Sequence, residues 1–252
     1  MPSAEGPEAS EGAGRRTGAA VGEDSTVRLL RLPGTYRAQE DTWFLADVLR
    51  RSGLAQGRRV LDVCTGSGAL AVAAAHAGAR RVTAVDLSRR ATATARLNSL
   101  VHGAGVRVLR GDLFEPVAGE CFDLVLANPP YVVAAGDVLP RYRSARSWDA
   151  GTDGRALLDR ICAGVPGVLA EGGDVLITQS ALSDDTRTVE QLSAAGLDTE
   201  VVARATIPFG PVMRSRAALL EQRGLIAPGQ RTEELVVVRA RVPEASTLRW
   251  AC

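Results

Sequence analysis

From Arg59 onward, short β-rich runs alternate with Ala- and Leu-rich stretches of helical length, and this alternation restricts the fold more than any other feature of the sequence. Strands are predicted at Arg59–Val63, Arg81–Asp86, Val106–Arg110, Phe122–Ala127 and Asp174–Gln179, then at Thr199–Thr206 and Glu233–Ala240. Helices are predicted at Glu40–Arg51, Gly68–Ala77, Ser88–His102, Gly154–Ala170 and Ser183–Ala195, with Pro166 kinking or splitting the fourth. Strands and helices alternating at this spacing build βαβ units. The expectation is an α/β fold, a doubly wound, mainly parallel seven-stranded sheet covered on both faces. The last two runs are separated only by a short helical insertion around Val212–Gly224, so the last strand is expected to close the sheet antiparallel.

With 46% hydrophobic residues, a chain of 252 residues can bury one sizeable core. Thirty basic residues against twenty-nine acidic ones leave a net charge of +1, no global field for nucleic acid or an anionic membrane, so stable nucleic-acid binding is not expected. No apolar run approaches the ~18 residues that a membrane span requires. Four cysteines (Cys64, Cys121, Cys162, Cys252) are scattered without a CxxC pair, and no metal site is indicated; a reducing cytoplasm is the default location. Residues 1–27, rich in Ala, Gly, Glu and Ser, hold too little apolar surface to offset their ordering entropy. They are expected to form a disordered acidic tail, with a shorter tail over 243–252 and the folded domain at 28–242. The chain has no lysine and only two asparagines, Asn98 and Asn128, which makes the placement of each asparagine conspicuous.

The first strand runs into Asp62-Val63-Cys64-Thr65-Gly66-Ser67-Gly68, after which a helix opens. Glycines let the backbone turn tightly and let a ligand approach the free N–H groups of the helix start. The Gly66-x-Gly68-x-x-Ala71 spacing fits the dinucleotide fingerprint, and Asp86 follows Gly66 by twenty residues at the end of strand two, so a nicotinamide dinucleotide has to be weighed. Two further acids weigh against it. Asp62, just before the loop, would repel a pyrophosphate and suits a ligand with an ammonium and a sulfonium. Asp112, at the end of strand three, can accept from an exocyclic amino group such as that of adenine. Three strands tipped with aspartate on one rim of a doubly wound sheet read as an S-adenosylmethionine site.

Strand four ends in Ala127-Asn128-Pro129-Pro130-Tyr131. The Asn128 side-chain oxygen and the Pro129 carbonyl can accept from one planar NH2 group, the prolines fix the torsions between them, and Tyr131 offers a face for stacking. An Asn-Pro turn after a strand is common in itself. Placed behind three aspartate-tipped strands, it marks Asn128, Pro129 and Tyr131 as candidate catalytic residues.

With these motifs the sequence resembles the class I S-adenosylmethionine-dependent N-methyltransferases of Rossmann-like fold. More narrowly it resembles the HemK/PrmC family of protein glutamine-N5 methyltransferases, in its short archaeal/eukaryotic-type branch. Besides the glycine loop and Asn128-Pro129-Pro130-Tyr131, it shares Glu40-Asp41-Thr42 and Trp148-Asp149-Ala150-Gly151-Thr152-Asp153-Gly154-Arg155. The resemblance implies that Thr42, Asp62, Cys64, Thr65, Gly66 and Gly68 surround the methionine end of the cofactor. It further implies that Asp86 with Leu87 takes the ribose, Asp112 with Leu113 the adenine, and that Asn128 holds the target nitrogen beside the methyl group. Cys64 stands where the family usually has glycine, and the segment Phe209–Arg231 is longer than expected for the branch.

The implied substrate is the glutamine of Gly-Gly-Gln in a translation release factor. Two alternatives stay open: N-methylation of a small amine, amide or guanidine, and adenine N6-methylation of nucleic acid, which Asn-Pro-Pro-Tyr also serves. Eukaryotic relatives act with a small activating partner, and no residue here indicates one. Five arginines in 203–231 (Arg204, Arg214, Arg216, Arg223, Arg231) read either as a patch for an acidic partner or, preferably, as the solvated face of a surface helix.

Overall fold

The computed structural model describes residues 29–32, 35, 37–134 and 148–243. The expected tails, apart from Pro243, lie outside the described residues, as do Asp137, Arg141, Arg143 and Arg146 of the loop after Tyr131. Seven strands form one sheet in the order β3-β2-β1-β4-β5-β7-β6. They are β1 (Arg59–Val63), β2 (Arg81–Asp86), β3 (Arg107–Arg110), β4 (Phe122–Ala127), β5 (Leu169–Ser180), β6 (Asp198–Pro208) and β7 (Thr232–Arg241). The first five pair in parallel, and β7 inserts antiparallel between β5 and β6. The antiparallel closure therefore involves both final strands. The helices are α1 (Glu40–Ser52), α2 (Ala69–His76), α3 (Arg89–Val101), α4 (Leu158–Gly164), α5 (Asp185–Ala194) and α6 (Pro211–Gln222).

The sequence dictates much of this packing. Val60, Leu61 and Val63 of β1, Leu124–Ala127 of β4, Val175–Ile177 of β5 and Val236–Val238 of β7 are buried, the continuous apolar runs of strands covered on both faces. Edge strand β6 alternates exposed and half-buried residues instead and carries Asp198, Glu200 and Arg204, charges that discourage further pairing. Helix α1 buries Asp41, Thr42, Phe44, Leu45 and Leu49 on one face. Acids open it, arginines close it, and Gly53 ends it in a left-handed turn (φ +65°).

The predicted fourth helix is the main departure. Only Leu158–Gly164 is α-helical; Pro166 sits in a 3-10 turn over Val165–Gly167, and β5 already begins at Leu169. Ala170, expected to end that helix, and the following Glu171–Gly173 lie in β5, where the β4–β5 register shifts between Phe122 and Leu124 as a bulge. Upstream, Arg155 is buried rather than helical-surface. Its guanidinium donates to the carbonyls of Ser183 and Asp184, to Thr188 Oγ1, Gln191 Oε1 and Asp159 Oδ1, and so ties the start of this segment to α5.

Among the described residues, no helix is long and apolar enough to cross a membrane. No group of three His, Cys, Asp or Glu side chains there could hold a metal ion. Cys64 and Cys162 are free thiols and Cys121 is disulfide-bonded, which the scattered cysteine spacing did not lead us to expect.

Candidate active site

In the parallel ladder Val63 of β1 lies between Val85 of β2 and Ala127 of β4. The chain therefore leaves the sheet at Cys64, Asp86 and Asn128 side by side, where the strand order reverses and where ligands bind in open α/β sheets. A cavity of about 1200 Å³ opens there. Of the residues singled out from sequence, Thr42, Cys64, Thr65, Gly66, Asp86, Leu87, Asp112, Leu113, Asn128, Pro129 and Tyr131 line it. Asp62 and Gly68 do not; they lie behind its wall.

Asp62 is fully buried beneath the glycine loop. Its Oδ2 accepts from Thr65 Oγ1 (2.5 Å) and from the N–H of Ala71 in α2 (3.1 Å), so it ties the loop to the helix start. Its Oδ1 is buried and has no hydrogen-bond donor among the described residues. Burial pushes the Asp62 carboxyl up to about 7, against the pull of its two hydrogen bonds. Gly68 serves packing: at φ +84°, a Cβ on it would meet Ala95 of α3 at 3.0 Å.

Cys64 adopts φ +60°, a left-handed conformation that favours glycine, and this explains why glycine is usual at that place. Burial and the neighbouring Asp86, Asp62 and Asp112 push its thiol well above the usual range, so it is no nucleophile. Asp86 links the two loops, its Oδ2 accepting from the Gly66 N–H (2.9 Å) and its Oδ1 from the Ser88 N–H (2.8 Å). Asp112 is held by Arg160 of α4 at 3.0 Å, a partner 48 positions away for which local sequence offers no signal.

On the other side of the cavity, Asn128 turns its amide nitrogen inward, donating to Asp41 Oδ2 (3.1 Å) and Thr42 Oγ1 (3.1 Å). Its amide nitrogen is thus engaged by α1, and Asn128 itself lines the cavity. Tyr131 Oη donates to the same Asp41 oxygen (3.1 Å). The turn is propped from behind. Ser183 Oγ donates to the Tyr131 carbonyl (2.7 Å), and Gly154, at φ +74°, leaves room where a Cβ would stand 2.5 Å from that carbonyl. Trp148 and Asp149 line the cavity because Val132 and Asp149 pair in a short parallel bridge.

Two features escaped the sequence reading. Asp41 was visible only as part of Glu40-Asp41-Thr42, and Asn98 only as a rare residue type. Asn98 is fully buried; its Nδ2 donates to the carbonyls of Leu30 and Ser67, and its Oδ1 accepts from the Leu30 N–H. It thereby fastens the N-terminal segment, whose Thr35 and Ala38 also line the cavity, to the glycine loop.

The arginines of 203–231 are mostly committed internally, so the acidic-partner patch is not assembled. Arg204 bridges Asp185 and Glu234, and Arg231 pairs with Glu221. Arg216 donates to the Val133 carbonyl and pairs with Asp149, while Arg223 donates to the Ala134 carbonyl. Arg214 stays at the surface. Helix α6 thus clamps the chain that follows Tyr131, and Phe209, Met213, Ala217, Leu220 and Ile226 form a small apolar cluster with Val133.

Comparison with known proteins agrees with this geometry. Residues 27–140 match the methyltransferase small domain. A Methanocaldococcus jannaschii protein carrying the name of a protein N5-glutamine methyltransferase is 32% identical over 187 residues, 74% of this chain and 93% of that protein. The release factor glutamine methyltransferase of Bordetella pertussis is 43% identical over 131 residues, and the match spans about half of each chain (48%). Among solved structures, the E. cuniculi Mtq2-Trm112 complex, described as responsible for methylating the eRF1 termination factor, is similar in fold. Its TM-score is 0.60 at 22% identity, over 83% of this chain and 99% of that one. With the glycine loop, the aspartate-tipped strands and the Asn-Pro-Pro-Tyr turn gathered around one cavity, this chain belongs to the protein N5-glutamine methyltransferases.

Proposed function

We propose that the chain binds S-adenosylmethionine in this cavity and methylates the side-chain nitrogen of a glutamine in a protein of the translation machinery, a release factor carrying Gly-Gly-Gln being the first candidate. The observation that carries the reading is the placement of Asn128 in the cavity wall with the glycine loop, its amide nitrogen held by Asp41 and Thr42. The residues present suit the cofactor. Asp62, behind the cavity wall, would act through the glycine loop that it ties to α2 and on which the methionine end would rest. Asp86 lines the cavity at the end of β2, where its carboxylate would meet ribose hydroxyls. Leu87 and Leu113 offer apolar walls for adenine, with Asp112 at its edge. Thr42, Cys64, Thr65 and Gly66 would take the methionine end. When bound, the cofactor supplies a methyl group on a positively charged sulfur.

The chain's own work is alignment. A carboxamide nitrogen is a poor nucleophile because its lone pair is delocalised into the carbonyl. Asn128 Oδ1 and the Pro129 carbonyl would accept its two N–H groups, fix its position, and stabilise the positive charge that develops as the lone pair rotates toward the methyl carbon. Tyr131 would cover one face of the planar group. Alignment of this kind is worth ~7–11 kcal/mol of barrier, so no strong base is required.

The test incubates the purified chain and radiolabelled S-adenosylmethionine with a release factor, the same factor lacking its Gly-Gly-Gln glutamine, duplex DNA, and a small-molecule extract. Label is expected in the intact release factor alone and is expected to vanish with Asn128→Ala, while binding of S-adenosylhomocysteine by that variant stays close to normal. Label confined to the small-molecule fraction or to DNA would overturn the protein-glutamine reading.

A further inference from the structure

Asp41 has no part in the proposed chemistry as it stands, yet the transfer site converges on it. It is the second residue of α1 and is buried, 6% exposed, whereas an acid in a first helical turn ordinarily faces water. One oxygen, Oδ1, is used locally: it accepts from the Thr42 N–H (2.7 Å) and from Thr42 Oγ1 (3.3 Å). The other is used across the fold. Oδ2 accepts from Asn128 Nδ2 and from Tyr131 Oη, each at 3.1 Å, on residues 87 and 90 positions away. A carboxylate serving only the helix start would need Oδ1 alone, and burying the second oxygen carries a desolvation cost that these donors help to offset.

The geometry points to Asp41 as a positioning residue for methyl transfer: its carboxylate sets the orientation of the Asn128 amide and of the Tyr131 ring together. Three effects follow from one group. Drawing the Thr42 hydroxyl hydrogen to Oδ1 leaves a Thr42 lone pair for the second N–H of Asn128, so Asp41 controls both amide hydrogens and keeps the amide from flipping. A negatively charged partner on Nδ2 polarises the amide and makes Oδ1 a stronger acceptor for the target N–H. Holding Tyr131 Oη on the same atom fixes the ring plane relative to the amide and removes the phenol from the hydrogen-bonding choices of the substrate. At Asn128 the incoming group then meets an acceptor and not a donor; a planar NH2 satisfies it, whereas a carboxylate, with no hydrogen to give, does not. This inference rests on the proposed glutamine methylation for its kinetic part and stands free of it for its structural part.

The sequence supplies the experiment. With two asparagines in the whole chain, selective 15N-asparagine labelling yields two side-chain NH2 pairs, those of Asn128 and Asn98. Asn98 donates to the carbonyls of Leu30 and Ser67 and not to Asp41, and serves as the internal reference. In Asp41→Ala, the Asn128 pair is expected to move and the Asn98 pair to stay. In methyl-transfer assays on a glutamine-bearing release factor, Asp41→Ala should lower kcat about 100-fold, the scale of a misplaced reacting group. S-adenosylhomocysteine binding should stay within about threefold of the parent, and Asp41→Asn, which keeps an acceptor oxygen for both donors, should recover about tenfold in kcat over alanine. An unmoved Asn128 pair, displacement of both pairs, or a kcat near that of the parent overturns the assignment. If Asp41→Ala does not fold, Asp41→Ser, which adds no third labelled amide, is compared with the parent by the same spectrum, and an unshifted Asn128 pair is the refuting result. A parent chain inactive on glutamine would refute the proposed function, while the spectra would still decide the role of Asp41.

Discussion

Replacing Asp62 by asparagine should make the ligand-free protein more stable at alkaline pH and not at acid pH. Asp62 is fully buried, one oxygen has no donor, and burial lifts its carboxyl from 3.8 in the unfolded chain to about 7 in the fold. Because the folded value is the higher one, the folded state holds a proton that the unfolded state has lost. The associated stability is complete below pH 3.8 and disappears as pH rises through about 7. A shift of this size corresponds to about 4 kcal/mol at 1.36 kcal/mol per unit. The substituted side chain cannot ionise and so escapes that cost, and its oxygen can still accept from Thr65 and Ala71. Its NH2 group, however, takes the place of an oxygen that lacked a partner, at a cost of about 1–3 kcal/mol. The net expectation at pH 8 is a gain of about 2 kcal/mol, or about 6 °C in Tm for a domain of this size. At about pH 5 the gain should vanish or reverse. Thermal unfolding of parent and variant in matched buffers at the two pH values measures the difference, in which every other titrating group cancels. A stability difference that does not change with pH, or a loss at pH 8, would refute the account of Asp62 as a carboxyl whose charged form is disfavoured by burial.

Two more perturbations follow from the same structure. Glu233 of β7 is buried beside Ser180, one oxygen has no partner among the described residues, and burial, helped by Asp41 and Glu40, raises it to about 7. Glu233→Gln should therefore stabilise the chain at pH 8 by up to about 3 kcal/mol, with the gain fading toward pH 5, as read by the same unfolding measurement. Gly154→Ala places a Cβ 2.5 Å from the Tyr131 carbonyl at φ +74° and should cost about 1–3 kcal/mol together with a fall in kcat, while Gly53→Ala, with an equally left-handed φ but nothing within 4 Å, should cost about 1 kcal/mol and leave kcat alone.

The legible part of this protein was the part written in local pattern. Strand runs, the glycine loop and the Asn-Pro-Pro-Tyr turn are contiguous in sequence, and a parallel sheet brings successive strand ends to one rim, so the positions of Asp86, Asp112 and Asn128 around one cavity followed. What failed was longer-range or conformational. Asp62 sits at a strand end as expected, but the loop folds over it, and its hydrogen bonds to Thr65 and Ala71 take it out of the cavity wall. The helix expected over Gly154–Ala170 shrank because the burial of Arg155 and the bulge at Ala170–Gly173 outrank local helix preference. The partnerships of Asp41 with Asn128 and Tyr131 and of Arg160 with Asp112 join segments many tens of residues apart, and residue spacing carries no record of them.

Helix α6 and its small cluster of Phe209, Met213, Ala217, Leu220 and Ile226 rest against Val133, apart from the large core beneath the sheet. The donor half of the active site is thereby anchored in the sheet itself, and the acceptor half leans on an add-on module inserted between the last two strands. A substitution in that cluster would therefore be felt first by the chain after Tyr131 and least by the sheet, so the two parts can be loosened one at a time.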